Sequence, residues 1–520
     1  FPKFFHPDPT VKRQSGFLIP TFSSSNNLGN YLAVPYFYAI SDNKDLTFTP
    51  RFYDKQKTIY QTEYRQANKN SDHIFDFSIE NKSRLIQSGK TQGTHFFAKS
   101  NFDTNFNFFE NSKIDLSIQQ VSEDNYLKLN KLKSPLITNE TVLNSKFEFE
   151  GNNNDLDLNI STEVYEDLAK ETSDRYEYIF PSYSLTKYLE NSLEGELSFT
   201  SSGNSKLYDT NVYEKKMVND LNYQSLQNII GNGFVTNYEL LLKNSNSDSK
   251  NSKNSKNELN QNLHSIIKYQ IQYPLKKEGL KFDSVLTPIL SARFSPNKSK
   301  NIKNSDRIID YNNIFSLNRI GSDETVEGGQ SVTIGNEFKM TDKLGNELFS
   351  LNLASMFRDE ENQDLPEKST LNRKSSNIVG EMFLKPKEYF DLKYNFSLDN
   401  DMQTLNYNLI DATFNVNNFI TSFEFLEKNN ILGNESYLSN KTTLGMTDNT
   451  SLTFNTRRNK ELGLNEYYDL IYEYKNDCLK AAVEYKKSYY EDGDLKPEEQ
   501  IYFSLTVIPF GTANSPDLNK

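Results

Sequence analysis

Apolar and polar residues alternate with a period of two along most of the chain, in segments of about ten residues, the spacing of tilted strands that cross a membrane. At 45–53, Leu46, Phe48, Pro50 and Phe52 alternate with Thr47, Thr49, Arg51 and Tyr53. At 113–120, Ile114, Leu116 and Ile118 alternate with Lys113, Asp115, Ser117 and Gln119, and Leu156, Leu158 and Ile160 alternate likewise with Asp155, Asp157 and Asn159. Near the end, Phe503, Leu505 and Val507 alternate with Tyr502, Ser504 and Thr506. One face of each segment suits lipid and the other a wet lumen. Reversals fall between them at GNNND (151–155), KLGN (343–346), DND (399–401) and DGD (492–494), where Asn, Asp and Gly favour turns. At about 20 residues per strand and connection, the chain supplies on the order of 26 strands, so a large antiparallel transmembrane β-barrel is expected.

Composition agrees with that architecture. The 520 residues are 36% hydrophobic and 13% aromatic, with 37 Phe, 31 Tyr and no Trp, yet the mean hydropathy is −0.72. No run of about eighteen apolar residues exists, which excludes a helical membrane protein. No Pro/Gly-rich linker divides the chain into domains. In a barrel, lumen and loops offset the lipid face in the average, and the interfacial girdles must be built from Tyr and Phe alone. Two polar stretches read as solvent loops: NSNSDSKNSKNSKN at 244–257, and PNKSKNIKN at 296–304, whose lysines are within reach of anionic headgroups. The best helical candidate, EDLAKET at 166–172, fits only a loop.

Charge and motifs narrow the function classes. With 58 basic and 70 acidic residues the formal charge is −12, and no concentrated basic surface is visible, so nucleic acid is not an expected partner. His6, His73, His95 and His264 are scattered singly, without HExxH or a Cys/His cluster, so no metal site and no cofactor are expected. GxSxG, P-loop and GxGxxG motifs are absent, and no catalytic residue is assigned, although a barrel-embedded triad would not show in sequence order. Acidic neighbours such as Glu360 and Glu361 read as wet loop charge. The single Cys478 is a free thiol or half of a bond to something outside the chain. The opening FPKFFHPDPT has none of the features of a signal peptide, which suggests a mature protein or a fragment.

Proline placement is the unusual feature. Strand interiors exclude proline because it donates no ladder hydrogen bond, yet Pro20 lies in SGFLIPTFSS, Pro35 in NYLAVPYFYAI and Pro509 in IYFSLTVIPFG. The first and last strands of a closed barrel must pair, so Pro20 and Pro509 would weaken one seam. The prolines either end strands or sit at interfacial bulges, or they belong to a seam built to open sideways.

The stretch FFHPDPTVKRQSGFLIPTFSSSNNLGNYLAVPYFYAISDNKDLTFTPRFYDKQKTIYQTEYR resembles the start of the barrel domain of the LptD family, lipopolysaccharide-assembly proteins of the Gram-negative outer membrane. So do DRYEYIFPSYS (174–184), NNIFSLNRIGSDETVEGGQSVTIG (312–335), SSNIVGEMFLKPKEYFDLKYNFSLDND (375–401) and the closing YEYKNDCLKAAVEYKKSYYEDGDLKPEEQIYFSLTVIPFG. The resemblance implies a lead-in at 1–13, a barrel at 14–511 and a tail at 512–520, with the family's N-terminal periplasmic jelly-roll absent. It also implies an outer-membrane translocon. Lipopolysaccharide would arrive from a periplasmic bridge, with an LptE lipoprotein plugging the lumen, and leave between the first and last strands. Under it Pro20 and Pro35 become gate elements, with Pro509 an extension to the opposite edge. Cys478 takes the position of a cysteine that bonds to the jelly-roll domain. The rival expectations are a passive diffusion porin and, without any supporting motif, an outer-membrane hydrolase.

Overall fold

The computed structural model describes residues 14–18, 20–25, 29–54, 57–82, 93–171, 173–252, 259–430, 433–477, 479–489, 497 and 499–507. These residues form a closed antiparallel barrel of 26 strands, the expected fold. Every strand pairs with its sequence neighbours, and the last strand, Glu499–Val507, returns to the first. Four strands are interrupted, among them the first (Gly16–Phe17 and Thr21–Ser25) and the second (Gly29–Ala33 and Tyr36–Ser41).

Alternation along each strand sorts side chains between two environments. On the third strand, Lys44–Tyr53, Phe48 and Phe52 are exposed outward while Arg51 and Tyr53 are buried inward. The fifth, Ser71–Lys82, repeats this with Phe75 and Phe77 outside and Asp76, Ser78 and Glu80 inside. An outer surface of exposed large apolar residues around the whole circumference is the band a bilayer covers. The two rims differ as well. One carries short turns such as 154–155, 231–233 and 448–449, and the other carries long connections at 122–141, 296–328 and 359–377, the asymmetry of periplasmic turns and extracellular loops.

The long connections fold back against the inner wall. The first holds a short helix, Tyr126–Asn130, and packs Tyr126, Leu127, Leu132 and Leu136 on Tyr53, Ile59, Phe97 and Leu143. The second and third pack Ile309, Ile314, Leu365 and Leu371 on Ala354, Met356 and Val379. At the base of this second insert Glu327 is fully buried. Arg319 binds its carboxylate through Nε and Nη2, both at 2.6 Å, while Arg358 stands at 3.4 Å and Arg293 at 3.9 Å. Further guanidinium hydrogens go to Thr333 Oγ1, Ser331 Oγ and the carbonyls of Leu371, Gly328 and Ser316. The strand residues Arg293 and Arg358 thus fasten the insert to the wall.

Three expectations change. Residues 244–250 are not a loop: the strand Phe234–Lys250 runs through them, paired from Tyr213↔Lys250 on one side and to Ser247↔Asn260 on the other. Side chains continue that ladder, with Asn219 Nδ2 and Asn246 Nδ2 both donating to Asn244 Oδ1 and Ser245 Oγ donating to the Glu324 carbonyl. A polar strand with partners on both edges has every reason to remain extended. At 296–304 two of the three lysines pair with carboxylates of the chain, Lys300 with Glu324 and Lys303 with Glu367. EDLAKET begins as the end of a strand, Leu156–Asp167, and forms no helix among its described residues. The turns at 343–346 and 399–401 stand where expected, that expected at 151–155 narrows to 154–155 because 151–153 still belong to the strand Val142–Asn153, and DGD at 492–494 lies outside the described residues.

Burial alone would raise the pKa of Glu327, but Arg319, Arg293 and Arg358 outweigh it and hold the group down from 4.5 to about 2. A depressed carboxylate contributes stability that is complete above its unfolded pKa and is lost as pH falls through the folded one. The insert therefore loosens between about pH 4.5 and about pH 2, read as protease cleavage in 296–328 of the refolded barrel. Glu327→Ala strands three buried guanidinium groups and costs about 3–5 kcal/mol, read as a lower temperature for loss of the compact, fast-migrating form on electrophoresis.

Candidate lateral seam

Among the described residues the ladder that closes the barrel is the shortest. There first and last strands meet at Phe22↔Phe503, Ser23↔Tyr502, Ser24↔Ile501 and Ser25↔Gln500. By contrast, the hairpin of Gly195–Tyr208 and Val212–Ser225 pairs along its whole length, and the last strand pairs with its other neighbour from Leu479↔Val507 to Lys487↔Glu499. Residues 504–507 therefore have a partner strand on one side only, and none from the first strand among the described residues. That open half lies toward the rim of short turns. Across the paired half Phe22 and Phe503 face outward, and inside Gln500 Nε2 donates to Ser23 Oγ at 2.8 Å.

The prolines sit where the strands break. Pro20 stands between the two halves of the first strand, and Pro35 follows Val34 in the gap of the second. A third, Pro50, lies on the adjacent third strand, and the three are spaced fifteen residues apart. Two of their carbonyls still accept: Leu18 N–H donates to Pro35 O at 2.8 Å and Val34 N–H to Pro50 O at 3.1 Å. What the prolines lack is an N–H to return, so the first two strands break side by side while the third continues through Pro50. Pro50 reads in the sequence only as a lipid-facing position. Its spacing from Pro35, equal to that of Pro35 from Pro20, is the signal that could have revealed it.

Other candidate residues fall elsewhere. Pro509, Cys478 and His6 lie outside the described residues. On the rim of short turns, Asn476 N–H donates to Leu479 O at 2.8 Å. His95 is buried between Asp76 Oδ2, at 3.3 Å, and Ser78 Oγ, which also meets Tyr126 Oη at 2.8 Å. This group of Asp, His and Ser is sealed under the first insert, with Asp76 and Ser78 fully covered, so no substrate reaches it and it serves as an anchor for that insert. His73 bonds Ser71 and Ser100, and His264 is buried on the inner wall. No group of three or more metal-ligating side chains occurs among the described residues.

A barrel of 26 strands, long inserts folded into its lumen and a short closing ladder broken at prolines is the setting for comparison with known proteins. The LptD family, described as LPS transport system D, matches residues 92–460. The chain belongs to that family. LPS-assembly protein LptD of Pseudoalteromonas translucida (strain TAC 125) is 32% identical over 117 residues, 22% of this chain and 15% of that protein. The LptD of Pseudomonas entomophila (strain L48) is 35% identical over 80 residues, 15% of this chain and 8% of that protein. The aligned stretches thus span a small part of the relatives' length. Among solved structures, the FrpB iron transporter from Neisseria meningitidis aligns over 95% of this chain and 81% of that chain at 7% identity, with a TM-score of 0.33. Family and lipid-faced barrel together place the chain in the outer membrane.

Ser24 and Ile501 are register partners on the outward side of the seam. A Ser24→Cys/Ile501→Cys pair brings two cysteines within the range of cross-strand neighbours, about 4.5–5.5 Å between Cβ atoms. It should oxidise to an intramolecular disulfide, read as a mobility difference between reduced and non-reduced samples; failure to cross-link would contradict this closing register.

Proposed function

We propose that this barrel is the outer-membrane translocon that delivers lipopolysaccharide to the outer leaflet, releasing it sideways between the first and last strands. The observation that carries the reading is the short closing ladder, in a chain whose family is concerned with lipopolysaccharide transport. Unpaired backbone groups cost several kcal/mol each in hydrocarbon. A seam that must part is therefore built with few bonds to break, and Pro20 and Pro35 keep it so. Pro509 would serve the opposite edge in the same way. Acyl chains would pass through the open lower half into the bilayer while the sugar moves inside the barrel.

The same reading supplies partners: a plug lipoprotein of the LptE kind against the uncovered inner wall, a periplasmic bridge that loads cargo, and a jelly-roll domain bonded to Cys478. A diffusion porin fits less well, because three inserts occupy the lumen where a porin keeps an aqueous path.

Replacing Pro20 or Pro35 with Ala returns a peptide N–H to the first two strands, and each bond regained stiffens the edge that must part by about 1 kcal/mol. Surface lipopolysaccharide, measured by labelling of intact cells, should fall in both variants and in the oxidised Ser24→Cys/Ile501→Cys protein. Normal surface delivery with the seam covalently shut would refute lateral release.

A further inference from the structure

The insert at 122–141 does more than fill space, for it reaches from one side of the seam to the other. Its near end is held by the wall beyond the first two strands. Arg51 Nη1 donates to the carbonyls of Asn130 and Lys131, both at 3.3 Å, and Gln61 Nε2 donates to Lys133 O at 3.1 Å. Arg51 Nη2 also meets Gln61 Oε1 at 3.2 Å, and Gln61 Nε2 meets Asp76 at 3.0 Å, so the anchors brace one another. Lys57 Nζ donates to Asn130 Oδ1 at 2.8 Å, and Tyr126 is fixed through Ser78. The helix ends at Lys131, whose φ of 44° puts it in the left-handed region and turns the chain.

Beyond that turn, two lysines of the insert meet the last strand. Lys131 Nζ donates to Gln500 Oε1 at 3.1 Å. Lys133 Nζ donates to Tyr502 Oη at 2.8 Å and stands 4.0 Å from the centre of the Tyr502 ring. Gln500 and Tyr502 are the inward residues of the paired half of the seam, and Gln500 in turn holds Ser23 of the first strand. The backbone at Asn130, Lys131 and Lys133 is thus tied to the third and fourth strands while the Lys131 and Lys133 side chains hold the twenty-sixth.

We propose that the 122–141 insert is an internal strap across the seam, with Lys131 and Lys133 as the positioning residues that hold the last strand to the first, so that the seam parts only when this grip is released. The proposal rests on the lateral-release reading for its purpose, and on the geometry alone for its mechanical effect. Four backbone register pairs make a weak closure. Charge-assisted contacts from a braced insert add to that closure without lengthening the ladder. Because the strap bonds side chains, it can let go without leaving any peptide group unsatisfied in hydrocarbon, unlike added ladder bonds.

The test uses the full-length protein in bilayer nanodiscs, with spin labels at Ser24→Cys and Ile501→Cys read by pulsed electron spin resonance. Lys131→Ala/Lys133→Ala should raise the ratio of separated to closed seams about tenfold, the equivalent of one charge-assisted hydrogen bond. Lys133→Arg alone, which keeps a cation over Tyr502 and leaves Lys131 in place, should retain most of the closed population. Retained heat-modifiable migration shows that each barrel is folded. An unchanged distance distribution in the folded double variant overturns the strap. The lateral-release reading fails separately, if surface lipopolysaccharide persists with the seam disulfide-bonded, because the distance measurement requires no cargo.

Discussion

Hydrocarbon offers no hydrogen bonds, and that constraint governs this molecule. Each strand that crosses the bilayer must find partners for its N–H and C=O groups on both edges, which only a closed sheet provides. Closure explains why 26 strands follow one another in simple up-and-down order and why the last returns to the first. It also makes the exception informative. The place where pairing is shortest among the described residues, between the first and last strands, is also the place where the ring can open without cutting a hairpin, since no turn joins those two edges.

Filling the ring poses a second problem. A barrel this wide leaves a lumen that wall side chains alone do not fill, and the chain answers with connections that fold inward. Each insert is tied to the wall by buried polar groups with partners: Arg51 and Gln61 hold the first, and Glu327 with its three arginines holds the second. These attachments use strand residues that alternate with the lipid-facing ones, so one periodicity serves the bilayer and the lumen together. A net charge of −12 would repel an anionic cargo, yet many carboxylates are matched locally, as Asp45 is by Arg65 and Glu163 by Lys146.

The legible part of the sequence was what depends on a residue and its nearest neighbours. Alternation at 45–53 and 113–120 puts Arg51, Tyr53 and Gln119 on the inner face, where the structure has them, and length alone indicates the strand number. Residues 244–250 were misread because their composition suits a loop, whereas their partners, the strands at 212–225 and 260–272, decide otherwise. The first insert was missed for the same reason. Nothing local in SEDNYLKLNKLKSP says that Tyr126 will meet Ser78 or that Lys133 will meet Tyr502, contacts that span 48 and 369 residues of chain. Pro20 and Pro35 were visible as anomalies, while Pro50 hid because its strand continues through it.

The central claim is that the seam is the weak line of an otherwise continuous ladder. Amide hydrogen exchange in bilayer nanodiscs, resolved by peptide, tests it directly. Amides of Glu499–Val507 and Thr21–Ser25 should exchange well before those of the fully paired hairpin Gly195–Tyr208 and Val212–Ser225, with residues 504–507 earliest in the last strand. Protection at the seam equal to that of the hairpin would contradict the account.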